Sequence, residues 1–230
     1  MKQIAEIGNW QLPLEVNREE ETLKKDIIDA YSLLNDSHSD MIYFFLRLIQ
    51  EREGFYGDYW RVYKITEILA RNFNFSSEEM LELKLGALLR DIGKYSIPAD
   101  IWEKSGKLTR EEYDYVKKHP LQGYEIVKDY VNDNVSKLIL CHHEFFNGKG
   151  YPLGLKAHDI PLGARIIGLA DMYNALRSKR PYRGAFSRDE ALEIMNSEKG
   201  MKLDPYILEE FWPLVGLVER ELADFKMDNL

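Results

Sequence analysis

Cysteine is almost absent from this chain: Cys141 stands alone, which excludes a disulfide framework and leads us to expect a reducing, cytoplasmic setting. Glycine and proline are also scarce, at 15 and 8 of 230 residues, and no low-complexity tract occurs, so a linker-rich or disordered chain is excluded. No signal peptide is visible, and no apolar run approaches the roughly 20 residues that span a bilayer. Basic runs are missing too. Lys and Arg are interspersed with Asp and Glu at a formal net charge of −8, which argues against duplex nucleic acid as a partner. A small anionic ligand would need a local basic pocket.

What is present is a composition of 45% hydrophobic and 30% charged residues, with apolar positions at helical spacing and almost no alternating strand pattern. The expected fold class is all-α, a helical bundle over 51–230 with an N-terminal helical extension over 1–50. Within the extension, Met1 to about Pro13 reads as irregular, Glu19–Leu34 as an amphipathic helix and Met41–Gln50 as strongly apolar. Tyr43, Phe44, Phe45, Leu46 and Leu48 are too apolar to be left in water, so this segment packs on the core or pairs with a second copy as a homodimer.

Beyond a turn at Gly54–Gly57, a helix turns Val62, Ile65, Ile68 and Leu69 inward. Ser76 with Glu79 forms a capping box for a helix running to Ile92 and stopping at Gly93. Thr109 with Glu112 forms a second box, and that helix ends before His119-Pro120 because proline disfavours helix in the residue before it. Further helices are expected at Leu121–Tyr130, Asn134–Glu144, Leu162–Ser178, Ser187–Asn196 and Pro205–Phe225, with a long Gly- and Pro-bearing loop at Phe146–Ile160.

Five histidines occur in all, yet His142 and His143 are adjacent and followed by Glu144 just before that loop. Asp91 ends an apolar helix, His119 sits at the His-Pro break, and Asp171 interrupts the apolar stretch Ile166–Ala170, where a charge is costly unless paired or metal-bound. Imidazoles and carboxylates together suit Zn, Fe, Mn or Ni better than Ca or Mg.

The order His142-His143-Glu144, Asn147 to Pro152, Ile160 to Ile166, Asp171 and Arg180-Pro181-Tyr182-Arg183 resembles an HD-GYP domain. Ala87 to Lys94 with Ile97-Pro98 upstream, and Gly200 with Asp204-Pro205 downstream, extend the likeness over roughly Glu51 to Phe211. The resemblance implies a helical core holding two or three metal ions that hydrolyses cyclic di-GMP. Asp91 would bridge the metals, with His119, His142 and His143 on one side and Asp171 on the other. Lys94 would stand near the leaving group or phosphate, Arg180 and Arg183 would hold phosphates, and Tyr151 would shape the pocket.

Departures from the family pattern fall at the centre. Arg90 replaces the histidine of the His-Asp pair, and a guanidinium has no lone pair to offer a metal. Helical phase places Asp58 where the family has a second histidine ligand, with Tyr59 as the alternative. Asn147 and Asn174 stand where the family has aspartates. The expectation is therefore that Arg90 pairs with Asp58, or with Asp171 as well, and closes one metal position. One divalent ion at most then remains, on Asp91, His119, His142 and His143. The expected function is a regulatory or binding module of cyclic di-GMP signalling, taking the dinucleotide or a partner protein, with phosphodiesterase activity lost or weakened. An active phosphodiesterase with a rearranged metal centre and a single-metal phosphohydrolase acting on another phosphate ester are the alternatives.

Overall fold

A computed structural model describes residues 58–102, 104, 106–179 and 183–227. The expected N-terminal extension lies outside these residues. Among them the fold is helical with no strand, and one isolated bridge joins Lys199 to Leu203. The principal helices are α1 (Asp58–Ala70), α2 (Ser77–Leu89), α3 (Ala99–Trp102), α4 (Arg110–Val116) and α5 (His119–Val127). They continue as α6 (Asp133–Cys141), α7 (Leu162–Arg177), α8 (Arg188–Ser197), α9 (Pro205–Phe211) and α10 (Val215–Met227). No described helix is long and apolar enough to cross a membrane.

The helix starts follow local chemistry. Ser76, Thr109 and Ser187 each accept from the third residue of the helix, while Glu79, Glu112 and Glu190 reach back to the cap, so two orphan donors are satisfied at each start. Pro120 lies in the first turn of α5, where its missing N–H costs nothing, so the His-Pro break separates α4 from α5 and then opens α5 itself. The expected Pro205–Phe225 helix is split at the 3-10 turn Trp212–Leu214, because Pro213 cannot donate to the preceding turn.

Helix α7 is central. Residues facing several directions, Ile166, Ile167, Leu169, Ala170, Tyr173 and Leu176, are all buried against α1, α2, α6, α8 and α9. A second cluster, built from Tyr63, Leu85, Leu88, Leu89, Ile92, Val127, Val135 and Ile139, joins α1, α2, α5 and α6. The ends of α2 and α6, the start of α5 and the middle of α7 therefore converge between the two clusters.

Candidate metal centre

Helix α2 ends at Leu89, short of the expected Ile92, and Asp91 leads into a 3-10 turn, Ile92–Ser96. Gly93 explains the early stop. A Cβ there would lie 2.0 Å from the His119 carbonyl oxygen and 2.4 Å from the Gly123 nitrogen, so only glycine lets this turn lie flat on α5. The contact brings Asp91 to His119 at the first residue of α5. His142 is the C-cap of α6, and His143 and Glu144 lie beyond the helix, which is shorter than the expected Asn134–Glu144. The histidine pair is thus presented by a helix end.

Ring orientation follows from the backbone. His119 Nδ1 lies 2.9 Å from the Val116 carbonyl oxygen and His142 Nδ1 lies 2.7 Å from that of Ile139. Only an N–H can sit productively against a carbonyl, so each neutral ring carries its proton on Nδ1 and turns the Nε2 lone pair inward. The two Nε2 atoms face each other at 3.3 Å. Asp91 Oδ1 is 3.3 Å from His119 Nε2 and 3.9 Å from His142 Nε2, buried, and without a hydrogen-bond donor among the described residues. With His143, one donor atom from each of these four residues lies within 4.8 Å of the others. Lone pairs aimed at one point with no proton between them fit a single divalent cation, and imidazole with carboxylate fits a transition metal.

Electrostatics keep these groups in metal-ready form. Burial alone would raise the Asp91 carboxyl, but the Lys94 ammonium and the Arg90 guanidinium outweigh it and hold it well below the usual carboxylate range. Burial, with the neighbouring His119 disfavouring a second charge, pushes His142 down to about 3, and burial beside His142 and His119 lowers His143 well below its ordinary value.

Beside this cluster, toward Asp171, stands a cation of the chain itself. Arg90 is 1% exposed and C-caps α2. Its Nε donates to Asp171 Oδ1 at 3.0 Å, one Nη donates to the Ala87 carbonyl at 3.0 Å, and the other Nη lies 3.1 Å from Asp91 Oδ2. One guanidinium thus joins Asp91, which the family resemblance makes the bridge between metals, to Asp171, which it places on the side away from the histidines. Lys94 Nζ stands 2.8 Å from Asp91 Oδ2, so among the described residues Arg90 and Lys94 both face the carboxylates of Asp91 and Asp171. The side chain of Asp58 lies outside the described residues, as does Arg180.

The remaining expected residues separate. The Tyr151 ring lies tilted 4.9 Å from that of His143 and edge-on 6.5 Å from that of His119. Arg183 donates to the carbonyls of Ala175, Leu176 and Gly184 and lies over the Phe186 ring, at the C-terminal end of α7. Asn147 Oδ1 accepts from the Lys149 N–H and shapes its own turn. Asn174, fully buried one turn beyond Asp171, accepts from Arg61 Nε at 2.7 Å. One residue without an expected role is prominent: Glu144, whose buried carboxylate accepts from three backbone N–H groups of the long loop. An acid beside the histidine pair and before a glycine-rich loop was the available signal.

An all-helical fold that gathers an aspartate and three histidines at one interior point defines a class of helical metal-site proteins. The family described as HD domain matches residues 44–207, and the chain belongs to it, in its HD-GYP branch. The cyclic di-GMP phosphodiesterase response regulator RpfG of Xanthomonas campestris is 34% identical over 188 residues, 80% of this chain and 50% of that protein. The 3'3'-cGAMP-specific phosphodiesterase 2 of Vibrio cholerae is 29% identical over 83% of this chain and 38% of its own length. A solved HDG"Y"P protein of Bdellovibrio bacteriovorus shares the fold at a TM-score of 0.60 and 21% identity, over 86% of this chain and 67% of that one. The chain spans about half the length, or less, of the two curated relatives.

Proposed function

We propose that this chain is a regulatory or binding module of cyclic dinucleotide signalling, built on the HD-GYP scaffold, that holds one divalent ion at most and does not carry out two-ion hydrolysis. The observation that carries the reading is the Arg90 guanidinium bridging Asp91 and Asp171. A cation about 4 Å from a divalent ion opposes it by roughly 8 kcal/mol at an effective dielectric of about 20, twice the value for unit charges. Arg90 therefore takes over the counter-charge that a metal would otherwise supply to Asp171.

Asp91, His119, His142 and His143 would hold the remaining ion, which when bound supplies a Lewis acid for a phosphate oxygen. The chain's own groups bind and orient. Lys94, fixed on Asp91 at the pocket edge, offers its ammonium to a phosphodiester, and Tyr151 covers the histidines. Relatives whose names specify cyclic di-GMP or 3'3'-cGAMP support a cyclic dinucleotide as the ligand class. A single-ion phosphohydrolase is the second reading, favoured by the completeness of the four-ligand set and by Lys94 beside it.

Incubation with cyclic di-GMP and Mn(II) or Fe(II) tests this. The expected result is measurable binding with the nucleotide unchanged. Linear product formed at an enzymatic rate would overturn the binding-module reading.

A further inference from the structure

We propose that Glu144 is the positioning residue of the pocket roof: its carboxylate holds the loop that carries Tyr151 over His143, and so governs how a phosphate ligand reaches the cluster. The proposal rests on the reading of this pocket as a phosphate-ligand site. Glu144 is 6% exposed, and no lysine or arginine pairs with it among the described residues. A carboxylate in such a place is costly unless hydrogen bonds replace water. Here the donors are backbone: the N–H groups of Leu153 at 2.6 Å, Gly154 at 3.2 Å and Leu155 at 3.0 Å. Three successive amides turned to one side form a concavity that takes an anion. The positive φ of Gly154, +69°, makes that turn accessible. The anion it takes is this chain's own.

The consequence is positional. Gly150 lies so close to the chain at Glu144 that a Cβ would stand 2.5 Å from the Glu144 Cα and 2.2 Å from the Phe145 nitrogen. The Tyr151 N–H donates to the His143 carbonyl at 3.1 Å, and the Gly148 N–H to that of Phe145 at 2.8 Å. The loop is therefore held at its near side by backbone contacts and at its far side by the Glu144 carboxylate, with Tyr151 between them at 4.9 Å from His143. Nothing in the metal-facing set requires Glu144, and its carboxylate touches none of those ligands. It acts through Tyr151.

Glu144→Gln preserves shape but turns an N–H₂ toward backbone N–H groups, so at least one of them loses its acceptor. The experiment measures cyclic di-GMP binding in the presence of Mn(II) for the wild-type chain, Glu144→Gln, Tyr151→Ala and the double variant, with Mn(II) stoichiometry as a control. Glu144→Gln is expected to weaken nucleotide binding roughly 10- to 100-fold with stoichiometry unchanged. The double variant is expected to bind no worse than Tyr151→Ala alone. Nucleotide binding unchanged in Glu144→Gln, or losses that add in the double variant, overturn the proposal. Tryptic cleavage at the exposed Lys149 and Lys156 separates this outcome from failure of the ligand reading. If the wild-type chain binds no nucleotide, faster cleavage in Glu144→Gln supports the loop anchor while the ligand reading falls; unchanged cleavage overturns the anchor as well.

Discussion

Arg90 Nε and Asp171 Oδ1 meet at 3.0 Å across 81 positions of sequence, joining the end of α2 to the middle of α7. The same guanidinium also reaches Asp91, so it is both a helix cap and the counter-ion of two carboxylates. Removing it takes this partner from the part-buried Asp171 and leaves Asp91 with the Lys94 ammonium. Arg90→Ala is expected to cost about 3–5 kcal/mol, which for a chain of this length lowers the melting temperature by roughly 10 °C. Added Mn(II) should recover part of that loss, because an ion can take the vacated place. Thermal melts with and without Mn(II) check both effects.

Charge balance within the site has a second consequence. Among the described residues Arg90 and Lys94 supply counter-charge to Asp91 and Asp171 without an ion. Dialysis against EDTA is expected to shift the melting temperature by less than about 4 °C, the equivalent of about 1 kcal/mol. Unfolding on chelation would show that the ion, and not Arg90, holds the centre together.

One of the metal-facing rings should tolerate acid better than an ordinary histidine does. A protonated imidazole cannot ligate, and an unperturbed histidine is lost near pH 6.5. His142, with its pKa pushed by burial to about 3, remains neutral well below that point. The His142 ring is therefore expected to stay unprotonated between about pH 7.5 and 6, as followed by its NMR signals. Protonation of His142 centred on the ordinary histidine value would contradict this geometry.

Away from the site, Glu67 supplies a pH-dependent contribution to stability. Burial opposes its ionisation, but a hydrogen bond from Lys84 and the charges of Lys84, Lys64 and Arg71 bring its carboxyl below 4.5 in the folded chain. A depressed folded value means stability fully present above the unfolded value and lost as pH falls through the folded one. Glu67→Gln should therefore be less stable at neutral pH and should lose less on acidification below about pH 4.5 than the wild-type chain. Urea melts across that range measure it.

Much of the fold was legible in local chemistry. Ser76 with Glu79 and Thr109 with Glu112 are complete signals within four residues, and both helices start where those signals place them. Helix ends were less legible because they answer to distant contacts. The stop at Leu89 depends on Gly93 meeting the backbone of α5, and no local pattern around Ile92 announces it. At the site, the motif order named Asp91, His119, His142 and His143, which converge. Asp171 as a partner of Arg90 could be posed from a buried charge needing compensation, but the bridge to Asp91 through the other side of the same guanidinium could not. Glu144 stood in plain sight within the motif, and its role emerged only when the loop amides were seen to close on it.

The most direct test of the central claim is metal content per chain, measured by elemental analysis on protein purified without chelators and compared between the wild-type chain and an Arg90→His, Asp58→His double variant. One ion per chain or fewer is expected for the wild type, and a higher content in the double variant. Two or more ions per wild-type chain would contradict that claim.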